Sequence, residues 1–196
     1  MPVIRAGFEA TDPITQTHTL VVKSAEETAG RGWVIEVSCP EGAPPYVLPH
    51  LHSTWTETFE ILEGTATCRL GGEERRLACG ESIVMPPRIV HTHPWNTGSG
   101  RMVFRQTNDF GAITPEAVTD VLGAFATLHG LAREGLVGKR GLPKNPMQFF
   151  ATGRLLAKHG AFDAAVPIPL QIAVSATLGR LAEAFGYRGV YDKYLS

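Results

Sequence analysis

The first 110 residues are cut at short intervals by glycine and proline, and this punctuation limits what they can become. Gly64, Gly71-Gly72, Gly80, Pro86-Pro87 and Gly98-Ser99-Gly100 separate runs rich in β-branched and aromatic residues at 17–22, 32–37, 57–62, 65–70, 83–85 and 102–104. Runs this short do not make stable helices. Many short strands joined by turns predict a sandwich or a barrel.

Near residue 112 the pattern changes to a helical one. Thr114-Pro115-Glu116 and Asn145-Pro146 each place a capping side chain before a proline at the first helical position, where the missing N–H costs nothing. The first helix carries Val118, Val121, Leu122, Phe125 and Leu128 at helical spacing; the second, with Phe150 and Leu155, should stop near Gly160. A third, from about Pro169, has Leu170, Val174, Leu178, Leu181 and Phe185 on one stripe, a face for the barrel or for a partner subunit. The expected division is a β-barrel domain over 1–111 and a helical extension over 112–196.

The charge balance of 18 basic against 19 acidic residues, with no polybasic run, argues against nucleic acid or an anionic membrane as partner. The first eight residues lack a signal-peptide pattern and no apolar run is long enough to span a bilayer, so a cytoplasmic location is expected. Cys39, Cys68 and Cys79 lack C-x-x-C spacing and read as reduced thiols, mostly buried.

Chemistry concentrates at His50-Leu51-His52, Glu57 and His91. On a strand, residues two apart share a face, so His50 and His52 can reach one ion. Imidazole and carboxylate suit divalent Fe, Mn, Ni, Cu or Zn, and three His with one Glu leave open positions for a substrate. Parity selects Glu57 over Glu60: with Glu57 inward, Phe59 and Ile61 are inward too, while Thr58 and Glu60 face out. His93 shares the parity of His91 and is the candidate acid/base group, although Pro94 threatens that strand.

These residues resemble the motifs of the cupin superfamily. Its first motif, H-x-H, three or four residues, E, six residues, G, is met by His50, His52, Glu57 and Gly64. Its second, G, five residues, P-x-G, two residues, H, three residues, N, is approached by Gly80, Pro86, Arg88 and His91, with Asn96 one residue late and Arg88 where the pattern has glycine. Arg88 adopts positive φ less readily than glycine, so a different turn type is expected there. The resemblance implies a mainly β fold, a cupin-type double-stranded β-helix (jelly-roll) barrel with a C-terminal helical extension. It also implies a divalent transition metal in the barrel mouth on His50, His52, Glu57 and His91, and a homodimer.

The function expected is a metal-dependent, dioxygenase-like enzyme acting on a small organic substrate, with His93 as acid/base and Glu57 moving between ligand and proton acceptor. A non-oxidative isomerase or lyase, or a non-catalytic binder, uses the same ligands. Trp55 and Trp95 read as core more than as pocket wall. Arg101 and Arg105 read as solvated, and His18, His129 and His159 as structural or exposed.

Overall fold

The computed structural model describes residues 3–45 and 47–195. Ten strands precede the helices: β1 (Glu9–Thr11), β2 (His18–Lys23), β3 (Gly32–Cys39), β4 (His50–His52), β5 (Thr56–Glu63), β6 (Thr65–Leu70), β7 (Glu73–Ala78), β8 (Ser82–Met85), β9 (His91–Asn96) and β10 (Met102–Asp109). They are followed by α1 (Pro115–Arg133), α2 (Pro146–Lys158), β11 (Ala161–Asp163), α3 (Ile168–Val174), a π turn at Ser175–Gly179 and α4 (Arg180–Ala184). A six-stranded sheet runs β1-β2-β3-β10-β5-β8 and a five-stranded sheet β11-β4-β9-β6-β7, with every pairing antiparallel. No helix among the described residues is long and apolar enough to cross a membrane.

Alternation along the strands decides which side chains meet between the sheets. On β5, Glu57, Phe59 and Ile61 are buried while Thr58 and Glu60 are only half-buried, as parity predicts. On β10 the inward set is Met102, Phe104, Gln106 and Asn108. Val21, Trp33, Val37, Phe59, Met85 and Phe104 fill the core with almost no exposure. Outward-facing Arg105 lies 2.8 Å from Glu36 and 3.2 Å from Glu60 on the strands either side, and Arg101 pairs with Glu63, so both arginines brace the outer wall.

Hydrophobic pattern alone does not disclose β7, whose sequence Glu73-Glu74-Arg75-Arg76-Leu77-Ala78 is mostly exposed. It forms because Gly71 (φ 60°) and Gly72 (φ 89°) close a two-residue hairpin that registers Leu70 against Glu73. Positive φ at both central residues is the turn that matches strand twist.

Around the second motif, two expectations need correction. Pro94 does not break its strand: β9 continues to Asn96, because Thr67 pairs with Trp95 while Arg69 pairs with Thr92. One extra residue of β9 is therefore accommodated opposite Cys68, a β-bulge at which a ladder N–H is not required. This inserted residue explains why Asn96 comes one position late. Asn96 still performs a clamp, its Nδ2 donating to the carbonyls of Cys39, Pro40 and Gly100 and its Oδ1 accepting from Gly98 N. Arg88 keeps the positive φ of a glycine turn, at 66°, and its N–H donates to His52 O at 2.6 Å. That bond ties the turn to the H-x-H strand and offsets the strain of a Cβ in this region.

α1 buries Val118, Val121 and Leu122 against the barrel. Its first turn corrects another expectation, since the Thr114 side chain makes no capping bond and its Oγ1 is buried without a partner among the described residues. The chain is steered there by backbone instead, with Thr114 N donating to Gly30 O. Asn145 does cap α2, accepting from Met147 N and Gln148 N. α2 ends at Lys158, and Gly160, with a φ of 81°, turns the chain into β11. From α3 through the π turn to α4 the buried residues are Gly179 and Ala182, while Leu170, Leu178, Leu181 and Phe185 are 40 to 68% exposed. Within one chain the apolar stripe thus faces away from the barrel.

Candidate metal centre

His50 and His91 are direct partners across β4 and β9, His52 is two residues along β4, and Glu57 approaches from β5 in the opposite sheet. The ligand atoms of His50, His52, Glu57 and His91 lie within 4.8 Å of one another. The structure thus brings together all four expected ligands from both walls of the barrel. His93 joins them, its ring parallel to that of His91 within 3° and its Nε2 3.1 Å from Glu57 Oε2.

Backbone carbonyls set two of the rings. His50 Nδ1 is 2.8 Å from Leu48 O and His91 Nδ1 is 2.9 Å from Ile89 O. A carbonyl only accepts, so each Nδ1 donates its proton and Nε2 is left as the ligand atom. His52 lacks such a tether: its Nδ1 is buried with no hydrogen-bond partner among the described residues. Its ring is instead stacked on Trp55, with centroids 4.2 Å apart. Trp55, 1% exposed, rests in turn on Phe110, so it serves both core and site wall. Trp95 does neither and lies beneath the Arg69 guanidinium on the sheet surface.

Glu57 is divided between two tasks. Its Oε1 accepts from Asn108 Nδ2 at 2.7 Å and Gln106 Nε2 at 3.0 Å, and Gln106 Nε2 also donates to Asn108 Oδ1 at 2.8 Å. Its Oε2 faces His91 Nε2 at 3.3 Å and His93 Nε2. Burial opposes ionisation of this carboxyl more than any other effect. The neighbouring imidazoles, those of His93 and His52 foremost, nevertheless hold it well below the usual carboxylate range. Burial pushes His50 well below the ordinary imidazole value and His52 down to about 4, so both are neutral donors at physiological pH. Two neutral imidazoles, a third ring fixed by Ile89 O and an ionised carboxylate are a donor set suited to a divalent transition metal.

Sequence reading missed Gln106 and Asn108, although a signal exists. The run 102–104 continues to Asp109, and on its inward parity Met102 and Phe104 give way to two amides. Polar residues on an inward parity have to find partners. His129, expected to be structural or exposed, is 9% exposed and lines the cavity from α1. His18 pairs with Glu9, and His159 with Asp120 at 2.7 Å between α2 and α1, so neither enters the site.

The cluster opens on a cavity of about 240 Å³. His50, His52, Trp55, Glu57 and Asn108 form its floor; Val121, Phe125, Leu128 and His129 of α1, Leu156 of α2 and Phe162 of β11 form much of its roof. The helical extension therefore closes the barrel mouth over the cluster. It also grips the ligand strand itself, because β11 pairs with β4, Ala161 opposite His52 and Asp163 opposite His50.

Residues 36–105 match the family model described as Cupin domain, and all four candidate ligands lie inside the match. This stretch of the chain is a cupin domain. Over 83 residues it is 30% identical to quercetin 2,3-dioxygenase of Bacillus subtilis (strain 168), an overlap of 42% of this chain and 24% of that protein. The cupin thus spans about a quarter of the length of this relative. Among solved structures, it is similar to a predicted oxalate decarboxylase from Thermotoga maritima, with 17% identity and a TM-score of 0.45, covering 56% of this chain and 99% of that one. It is also similar to an RmlC-like cupin from Shewanella frigidimarina NCIMB 400, with 14% identity and a TM-score of 0.41, covering 52% and 83%.

Proposed function

We propose that this cupin is a metal-dependent enzyme of the oxygenase class, acting on a small organic molecule held between the His/Glu cluster and the helical extension. The observation that carries the reading is the opening of a three-imidazole, one-carboxylate cluster onto a largely apolar cavity roofed by the helical extension. A structural metal site needs no such opening. The likeness of residues in the barrel to a protein named as a dioxygenase supports the same class.

His50, His52, Glu57 and His91 would hold the ion, which when bound supplies Lewis acidity and, for iron, manganese, nickel or copper, a contact with dioxygen. The remaining work falls to the chain. Leu48 O and Ile89 O keep two rings aimed. Gln106 and Asn108 fix Glu57 Oε1 and so direct Oε2 inward. His93 Nε2, 3.1 Å from Glu57 Oε2, is placed to hand a proton to that oxygen or take one from it, which supports an acid/base role for the pair. α1 and α2 exclude bulk water, which strengthens every charge interaction on the cavity floor.

The test is metal content followed by turnover. Purified protein loaded separately with Fe(II), Mn(II) or Ni(II) should consume dioxygen with an oxygen-bearing aromatic substrate. Product formed at the same rate under argon would refute the oxygenase reading and favour an isomerase or lyase. An aligned His50→Ala, His91→Ala double variant should retain no metal.

A further inference from the structure

We propose that the cavity roofed by the helical extension is a chamber for a compact ligand, a single ring with adjacent oxygens at the cluster end and no charge at the other end. This deepens the metal-enzyme reading above and rests on it for the oxygen end alone.

Size comes first. An apolar cavity of about 150 Å³ accommodates benzene. The 240 Å³ here admits roughly ten non-hydrogen atoms on that scale, one ring with its substituents. The wall facing the cluster is made of Val121, Phe125, Leu128, Leu156 and Phe162, side chains that gain by covering a ring and offer it no hydrogen bond.

Charge comes next. The charged side chains on the chamber apart from Glu57 are Asp12, Asp163 and Arg140. Asp12 Oδ1 accepts from Ile14 N and Thr15 N, and Asp163 Oδ1 from Ala165 N, so both carboxylates are structural caps that still repel an anion. Arg140 is exposed at the rim, in the connection between α1 and α2. A phosphate or second carboxylate on the ligand would meet two negative groups and a single cation shared with water, a poor site for either. His129 adds a polar but uncharged point on the α1 wall, since burial pushes its imidazole below the ordinary value.

The oxygen end follows from the floor. Four protein ligands would leave two positions on a six-coordinate ion, which a pair of neighbouring oxygens would fill.

Benzohydroxamic acid and acetohydroxamic acid carry the same chelating oxygens and differ in having a phenyl ring or a methyl group. Titrated calorimetrically into the Co(II)-loaded full chain, the phenyl compound should bind roughly 10- to 100-fold more tightly, the value of burying a ring. A 4-carboxy derivative should lose that advantage. Leu128→Trp should fill the chamber and abolish the preference while acetohydroxamate binding and cobalt content stay unchanged. Gly153→Leu serves as a second variant that folds, because a Cβ at this helical, chamber-lining position meets nothing within 4 Å. Cobalt uptake with equal affinity for the two hydroxamates, or a preference surviving both variants, overturns the chamber. Failure to take up cobalt overturns the metal reading instead, and the oxygen end of this ligand with it.

Discussion

Asn108→Leu tests the claim that the amides behind Glu57 prepare the site for a metal. The two side chains have the same number of heavy atoms and the same branching, so the change removes mainly hydrogen-bonding chemistry. Glu57 Oε1 loses its shorter bond, at 2.7 Å, and keeps only the 3.0 Å bond from Gln106, which in turn loses its acceptor Asn108 Oδ1. A hydrogen bond to a charged group contributes roughly 1.5–3 kcal/mol. The metal-free chain should therefore unfold in urea with about 2 kcal/mol less stability. Release of Oε1 also lets the carboxylate rotate, and loss of an outer partner of this kind costs roughly 10- to 100-fold in metal affinity. Competition with a chromophoric chelator for Co(II) or Zn(II) measures the second number directly. Glu60→Gln is the parity control: it removes a carboxylate three residues away whose side chain faces Arg105 outside the barrel, and metal affinity should not move. If Asn108→Leu keeps its affinity within twofold of the unaltered chain, with unchanged circular dichroism, the amides are not what directs Glu57.

Three further outcomes follow from other parts of the molecule. Burial pushes the Cys39 thiol up to about 12 and Cys68 up to about 11, while Cys79 is exposed, so at pH 8 a disulfide reagent should titrate one thiol in the native protein and none in Cys79→Ser. His129 is held below its ordinary value by burial and Arg133 against the pull of Asp12; a depressed folded value means stability present above the unfolded value of about 6.5 is lost as pH falls through the folded one. Urea midpoints of His129→Gln should accordingly decline less than those of the parent as pH falls below about 6.5, and identical curves would remove His129 from the account. At Gly130 an added Cβ would overlap Cγ and Cδ1 of Tyr194, so Gly130→Ala should cost about 1–3 kcal/mol by thermal or urea unfolding despite its better helix propensity.

The motif residues were legible because their constraints are local. Spacing of two on a strand puts His50 and His52 on one face, and alternation from Glu57 to Ile61 separates ligand from outer wall without knowledge of any neighbour. Asn145-Pro146 likewise announces a helix by chemistry contained in adjacent residues. What sequence did not disclose depends on partners far along the chain. β7 is polar throughout and exists because Gly71-Gly72 folds it back on β6. Thr114 has a capping residue's identity, but a carbonyl at Gly30 directs the backbone. The bulge at His93 and Pro94 is visible only once β6 is paired with β9, and only then does the late Asn96 become the same clamp in a different register. Gln106, Asn108 and His129 were hidden for a related reason. Each is ordinary on its own element and becomes part of the site through what faces it.

One pairing gives the C-terminal half a role beyond shielding. Among the described residues β4 is in register with β9 only at His50 and His91, and its other edge is occupied by β11, which follows α2 after two residues. The strand bearing two ligands is therefore held in place by residues more than 100 positions later in the chain. Thermodynamic reciprocity makes that contact run both ways. Whatever affinity an ion gains from a fixed His50-Leu51-His52 segment, the docking of β11 and its helices gains from the ion. Occupancy at the barrel mouth is thereby a signal that the far end of the polypeptide can register, as protection of its amides from hydrogen exchange.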